Sequence, residues 1–573
     1  MEKSQTNETY LELFNQHKEF IEVFDNIYRP KSNNIDEFNK IYQDIKSILI
    51  GRYNIDPQVI LKNIDNALCF HLFNYKSYWT LIQKLYDEYK PLTDDLSPFC
   101  QYLFNKAYGF NPSDNNKNRI KIIEKIYGDL DLSKADPLFR SIVYDDSHKF
   151  VELTEISGFD SNQMINCPFL EKNKEEFSLM ELCCYFGSVN CFKILRSNFN
   201  GFISPESLNY SLLNGNPSIV KECLASQRLN AESLDYSIIS HNIDIFIYIL
   251  NQFKNKISLQ KCVNYQNLQA FLIGIDRGKY KSDDMFYFSC GFNIPSLCKF
   301  FISRGCDVNK KMFDGETPIY CAVKNSNYDV VETLIEHGAK VNEYSSTVNT
   351  PLHFAVRCSS SKVVDLLLSK GANPNSKNRF DDTPILWSIE RNNIEIINLL
   401  LKYGADINWK DVTGSNVLFQ IKFAHKEMLE FLIKNGADVN CVNICKETPL
   451  HKAALFNLRD IAETLCSHGV KIDSRDQYGA TPLHIAVINN SIETAKFLIE
   501  NGANINERTI QSNTALILAA INDHAEIAEL LLNHGADIND KNGNGINVMS
   551  ICVNGNKREM LELFKSRGYN INI

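Results

Sequence analysis

The sequence predicts an all-α chain in which a solenoid of helix-turn-helix pairs, joined by hairpin-like turns, follows an N-terminal helical domain. Three observations predict it. Thr-Pro pairs recur at Thr317, Thr350, Thr383, Thr448 and Thr481, and the steps from 317 to 350, 350 to 383 and 448 to 481 are equal, each about 33 residues. A glycine follows each of these threonines about one helix pair later, in His337-Gly338-Ala339, Lys370-Gly371-Ala372, Tyr403-Gly404-Ala405, His468-Gly469-Val470 and Asn501-Gly502-Ala503. The stretch 1–130 shows apolar side chains at helical spacing and no such repeat.

In 1–130, helices are predicted near 8–29, on Leu11, Phe14, Phe20, Ile21, Phe24 and Ile27, and near 35–51, on Ile41, Ile45, Ile48 and Leu49. Helical spacing continues over 57–90, on Ile60, Ile64, Leu68 and Leu72 and then Leu81 and Leu85. Pro30 and Pro57 stand at the breaks, where a missing N–H does least harm. Residues 135–278 read as shorter, decayed helix pairs that continue the same stack. Three segments rhyme there: Leu179–Gly187, Leu208–Asn216 and Leu234–Asn242. Each precedes an apolar helical run. The steps from Gly187 to Gly215 and from Gly215 to Asn242 are shorter than the Thr-Pro step, so these pairs have lost the long turn.

Residues 279–573 form the regular array. A worn unit spans 279–311, with Asp284-Met285 at the Thr-Pro position. Repeats fill 312–541. The copy at 411–442 is degenerate, with Asn416-Val417-Leu418-Phe419 in place of the core motif. Residues 542–573 are the C-terminal cap. Terminal units of a stack face water or another domain on one side and depart from consensus. Within a repeat each residue has a task. The Thr hydroxyl is placed to accept an orphan helix N–H, and Pro at the first helical position has no N–H to lose. Leu352, Ala355 and Val356 face the core, and Gly371 ends the second helix in a left-handed conformation. Ala372-Asn373-Pro374-Asn375 then enters the turn.

Motif and period together resemble the ankyrin repeat family. The resemblance implies a solenoid that binds other proteins through a concave face made by the turn tips and the exposed side of each first helix. The whole arrangement is also similar to ankyrin proteins of certain protozoa, notably trichomonads, which carry a helical region of unknown function before the array. That likeness rests on Ser178 to Phe192, Ile238 to Asp244 and Asn74-Tyr75-Lys76-Ser77-Tyr78.

Composition bounds the function. Hydrophobic residues at 44% and charged residues at 23% fit a folded chain. A formal net charge of -9 disfavours nucleic acid, whose binding draws on an excess of Lys and Arg. The 17 cysteines are scattered and irregular, as in reduced buried thiols rather than a disulfide framework. The polar start Met1–Asn7 lacks the apolar core of a secretory signal, and no window has the ~20 apolar residues that span a bilayer. The expected compartment is the cytosol or the nucleus, and the expected state is a monomer.

Chemistry is not expected. No phosphate loop, dinucleotide fingerprint or His-Glu-x-x-His helix is present. Cys441 and Cys445 are four apart but lack the second pair of a zinc ribbon. His353, His451 and His484, and likewise His337, His468 and His534, recur with the repeat. A catalytic histidine is needed once, whereas a hydrogen-bonding histidine that ties neighbouring turns is needed in every copy. No catalytic residue, cofactor or metal is therefore assigned.

The partner-facing positions implied by the resemblance are Phe313, Asp314, Glu316 and Lys324, then Arg379, Phe380, Asp382 and Arg391, then Trp409 and Tyr478 at turns, with Leu455, Phe456 and Ile488 after first helices. Aromatic and Arg residues there suit binding hot spots, while rings that merely cover the neighbouring turn are the alternative. The expected function is a protein-interaction scaffold or adaptor. A substrate-recognition subunit of a ubiquitin ligase or kinase assembly and a membrane–cytoskeleton tether are the other readings.

Overall fold

The computed structural model describes residues 11–32, 34–71, 75–91, 93, 96–109, 120, 136–167, 176–252, 256–277, 280–390, 392–420 and 426–569. They cluster into two compact units, residues 1–312 with 317–339 and residues 313–316 with 340–573.

The first unit opens with helices Lys18–Tyr28 and Ile35–Asp44, and the second of these runs on as a π-helical turn, Ile45–Arg52. The apolar periodicity over 57–90 resolves into two helices, Pro57–Phe70 and Tyr75–Tyr89. The break is tertiary. His71 leaves helical backbone, its Nε2 lies 2.8 Å from the Tyr28 carbonyl, and its ring stacks on Tyr78. Tyr78 is wholly buried and donates to the Ile27 carbonyl at 2.8 Å, which ties the helices together. Ser97 starts helix Pro98–Tyr108 by accepting the Cys100 N–H, while its own N–H and hydroxyl donate to the buried Asp65 carboxylate at 2.6 and 2.5 Å.

Paired helices follow from Pro137–Val143 and Ser147–Thr154. A two-stranded antiparallel hairpin, Met164–Asn166 with Glu176–Ser178, precedes helix Leu179–Phe186. It is the one departure from an all-helical first unit among the described residues. Ile165 and Phe177 pair across it and point into the core. The next pairs are Leu179–Phe186 with Val189–Phe199, Pro205–Asn214 with Pro217–Ser226, and Ala231–Ile239 with Ile243–Gln252. A further pair, Leu259–Asn264 with Leu268–Asp276, has no counterpart among the three rhyming segments. Helix Ser282–Ser289 with Pro295–Ser303 and Pro318–Lys324 with Tyr328–Glu336 complete the unit.

In each pair a left-handed residue turns the chain after the first helix: Asp145, Gly187, Gly215, His241, Gln266, Asn293 and Ser326. The N-terminal helices pack on this loop edge. The Asp25 carboxylate lies 2.7 Å from His241 Nδ1, and Tyr28 stacks on the same ring at 4.3 Å. Asn293 Nδ2 donates to the Tyr53 and Asn54 carbonyls at 2.7 and 3.1 Å. Tyr185 donates to the Cys69 carbonyl at 3.0 Å.

In the second unit the pairs are Pro351–Arg357 with Ser361–Ser369, Pro384–Glu390 with Ile394–Lys402, Pro449–Leu455 with Arg459–Ser467, Pro482–Ile488 with Ile492–Glu500, and Ala515–Asn522 with Ala525–Asn533. In the degenerate copy a 3-10 turn, Val417–Gln420, stands before helix Lys426–Lys434. Without Thr-Pro, Asn416 accepts the Leu418 N–H instead. The C-terminal pair is Val548–Asn554 with Arg558–Ser566, and it buries Val548, Cys552, Met560 and Phe564.

Candidate interaction surface

Each long turn of the second unit is a finger whose shape follows from its sequence. An Asn or Asp at the fifth position before the helix cap accepts backbone N–H groups across the turn: Asn378 from Phe380 and Asp382, Asp411 from Thr413 and Ser415, Asn443 from Cys445 and Glu447, and Asp476 from Tyr478 and Ala480. The residue two before the cap is left-handed, as at Gly315 and Gly479. A Cβ on Gly315 would lie 2.8 Å from Ser346 N, so glycine there also permits close approach of the next finger.

Backbone bonds join the fingers. Ser346 N donates to Asp314 O, Val412 N to Phe380 O, Ile444 N to Thr413 O, Gln477 N to Cys445 O, Ile510 N to Tyr478 O and Gly543 N to Gln511 O, at 2.8–3.2 Å. At the finger base, an Asn side chain donates to the glycine carbonyl of the next repeat. These bonds run from Asn342 to Gly371, Asn375 to Gly404 and Asn408 to Gly436, at 2.8–2.9 Å. The same side chains accept from Asn373, Asp406 and Asp438 N.

The recurring histidines complete the lattice, and they join the expected Thr caps in capping boxes at Thr350, Thr448 and Thr481. Nδ1 of His353, His451 and His484 lies 2.8–2.9 Å from the hydroxyl of Thr350, Thr448 and Thr481, and also accepts that Thr N–H. The other nitrogen then carries the proton and donates to a carbonyl of the next finger, Asp382, Ala480 or Glu507, at 3.1–3.2 Å. Where Tyr320 and Leu386 replace the histidine, the hydroxyls of Thr317 and Thr383 are buried without a hydrogen-bond partner. In the copy that lacks both Pro and His, the Thr514 hydroxyl accepts the Ile517 N–H. Burial holds His353 down at about 4, and it lowers His451 and His484 in the same way. The second set, His337, His468 and His534, folds back onto the carbonyls of Thr333, Thr464 and Leu530 at the ends of their own helices.

The expected partner-facing residues divide. Phe313, Phe380 and Tyr478 stand exposed on the fingers. Asp314 is exposed there too, with its carboxylate accepting the Glu316 N–H at 3.1 Å. Arg379 is exposed, with its guanidinium 4.8 Å from the Phe380 ring centre. Lys324 is exposed at the end of its helix in the first unit. Glu316 is buried, because the left-handed turn at Gly315 carries the residue just before the cap back under the finger. Asp382 holds the equivalent position and is half-buried, and burial raises its carboxyl. Trp409 packs on its neighbour: its Nε1 donates to Asp381 O at 2.9 Å and Lys377 Nζ lies 3.9 Å from its ring centre. Arg391 lies outside the described residues. Half-buried Leu455 and exposed Phe456 and Ile488 mark the ends of first helices, a second row joined by exposed Ile521.

The structure adds residues that the search for aromatics passed over. Val348, Val412, Ile444 and Ile510 occupy finger tips, and Ile444 and Ile510 are 70% and 74% exposed against 50% for Phe380. The signal was present in the sequence as an apolar residue two to four places before the helix cap, aliphatic at Val348, Val412, Ile444 and Ile510 and aromatic at Phe313, Phe380 and Tyr478. Among the described residues no group of three metal-ligating side chains converges, and no helix is long and apolar enough to cross a membrane. Burial pushes the Cys441 thiol up to about 12.

Comparison with known families agrees with this geometry. Residues 286–378, 374–443 and 418–509 match ankyrin repeats in sets of three copies, and residues 511–543 match a single ankyrin repeat. Residues 199–274, which contain three of the short helix pairs, match a domain of unknown function, DUF3447. No curated protein matches the chain. The chain thus carries ankyrin repeats over 286–543, a family that is typically non-catalytic and points to protein–protein interaction. The matches name no protozoan relative.

Proposed function

We propose that the chain is a protein-interaction scaffold or adaptor, and that the finger row of the second unit is where its partner sits. The observation that carries this reading is the succession of exposed apolar side chains, one per finger, at Phe313, Val348, Phe380, Val412, Ile444, Tyr478 and Ile510. Single exposed apolar residues need no explanation, but a row of them on adjacent fingers does. Each would gain roughly 25 cal/mol for every Å² removed from water. The backbone ladder and the Asn and His bonds hold the fingers in place, so a partner meets a preorganised surface and little ordering cost remains.

The test is affinity capture with the full chain and with the double variant Phe380→Ala/Ile444→Ala. Trp409 is unsuitable for this purpose, because its loss would disturb the packing of the fingers. Capture of the wild-type partner should weaken at least about tenfold, since two truncated anchors at the centre of an interface remove on the order of 2–4 kcal/mol. Helical circular dichroism should not change. Undiminished capture by a folded variant refutes the finger row as the interface. The captured protein also separates the finer readings: a ligase or kinase core favours a substrate-recognition subunit, and a membrane protein favours a tether.

A further inference from the structure

We infer that the ligand of the finger row is an acidic protein segment with large apolar side chains, held by three adjacent fingers that span residues 377–447. The inference rests on the reading of the fingers as a binding surface and adds the chemistry of what they bind.

The charge on these three fingers is sorted by sign. Lys377, Arg379, Lys410 and Lys446 are exposed. The acids near the tips are turned inward, while Asp406 and Asp438 at the finger bases are exposed. Asp411 accepts the Thr413 and Ser415 N–H groups and the Thr413 hydroxyl at 2.6–3.0 Å. Asp382 accepts from Asn378 Nδ2 at 3.2 Å, and Glu447 accepts from Asn443 Nδ2 at 2.7 Å and pairs with Lys452 at 3.2 Å. Asp381 is half-buried beside them. Asp411 thus satisfies the backbone of its own finger, Asp382 and Glu447 bond to side chains of theirs, and the cations are left at the rim.

The next fingers behave differently, which locates the patch. Arg475 is paired with Glu507, and Arg508 with Asp540 at 2.5 Å, so those cations are neutralised by the following finger. On 377–447, Lys377 lies over Trp409, and Lys410 Nζ reaches a carbonyl, Val442 O, at 3.4 Å. Neither contact cancels a charge. Phe380, Val412 and Ile444 stand among these cations, exposed. A surface that alternates cations with exposed apolar side chains is matched by a ligand that alternates carboxylates with apolar side chains. Nucleic acid would use the cations but would leave Val412 and Ile444 in water, and the chain as a whole is acidic at -9.

The experiment selects a displayed library of random linear peptides on the full chain, then measures synthetic forms of the enriched peptides by fluorescence anisotropy. The variants are the quadruple reversal Lys377→Glu/Arg379→Glu/Lys410→Glu/Lys446→Glu and the double reversal Arg379→Glu/Lys446→Glu, which leaves the Lys377–Trp409 contact intact. Enriched peptides should carry net negative charge and at least one large apolar residue. They should lose at least about tenfold in affinity on either reversal, and they should weaken as salt rises from about 50 to about 500 mM. Neutral or basic peptides that are lost on Phe380→Ala/Ile444→Ala but indifferent to charge reversal overturn this inference and leave the finger reading standing. Peptides indifferent to both kinds of variant overturn both. A single-stranded DNA probe that binds through the four cations more tightly than any peptide assigns them to nucleic acid and also overturns the inference.

Discussion

In the short repeats of the first unit the left-handed residue after each first helix comes at Gly187, Gly215, His241, Gln266 and Asn293. In the second unit it comes at Ser359 and Asn392 and again at Asn457, Asn490, Asp523 and Asn556, at a wider and more regular step. The difference is the finger. Among the described residues, neighbouring short repeats are joined through side chains, such as Ser233 Oγ to Asn209 Oδ1 and Asn267 Nδ2 to the Ile238 carbonyl, both at 2.8 Å. Their loop edge is covered by the N-terminal helices through Asp25, Tyr28, Tyr53 and Asn54. In the long repeats backbone, Asn and His bonds run from finger to finger. One region secures its stack with a second layer of helices, and the other does so within the repeat. Among the described residues, the second carries a row of exposed apolar tips, one per finger.

Three substitutions test that division. The largest effect is expected from Tyr78→Ala, which removes a wholly buried ring and the bond to Ile27 O from the helical layer. A loss of about 4 kcal/mol is typical of such a cavity. Hydrogen exchange on the full chain should show it over 11–339 with 340–569 unaffected. Equal loss of protection in both units would show that the layer does not serve the first unit in particular.

A smaller effect is expected from acid. His353 stays neutral in the fold down to about 4, whereas an unfolded histidine protonates near 6.5, so the unfolded chain binds the extra proton between these values. Stability of the second unit should be unaffected by this residue above pH 6.5 and should fall as pH drops from 6.5 to 4, by up to about 3 kcal/mol. In His353→Gln the exchange-derived stability of 340–569 should be lower at pH 7 but should fall less steeply over that range. An unchanged slope would assign the acid sensitivity to other groups. The smallest effect is expected from Asn375→Ala, which deletes the bonds to Gly404 O and Asp406 N in an exposed setting. About 1 kcal/mol should be lost, confined to the adjoining repeats, and read by exchange of the 376–420 amides. Loss spread evenly over both units would count against finger-by-finger stacking.

The parts legible in the sequence are those fixed by local chemistry. Thr-Pro placed helix starts at Pro318, Pro351, Pro384, Pro449 and Pro482, because a Pro at the first helical position has nothing to lose there. The pair Leu259–Asn264 and Leu268–Asp276 lies within the predicted helix pairs of 135–278 but outside the three rhyming segments, its turn being Tyr265-Gln266-Asn267 with Gln266 left-handed. The break at His71 was missed because a carbonyl far along the chain makes it. On the surface, Phe380 and Tyr478 stand exposed, whereas Glu316 is buried and Trp409 follows the alternative reading of a ring packed on the neighbouring turn, because neither burial under the finger nor packing on the neighbour is encoded within a few residues.

The sequence by itself therefore determined the period, the helix pairs, the turn chemistry and the likeness to ankyrin repeats, all of which are written in short, local stretches of chain. Tertiary structure alone decided that the N-terminal helices cover the loop edge at His241 and Asn293, that the Thr350, Thr448 and Thr481 hydroxyls meet the histidine of their own helix while that histidine reaches the next finger, and which tips stay in water. Those outcomes depend on partners far apart in the chain, as Asp25 is from His241, Tyr53 from Asn293 and His353 from Asp382. Their approach is set by packing rather than by neighbouring residues in the sequence.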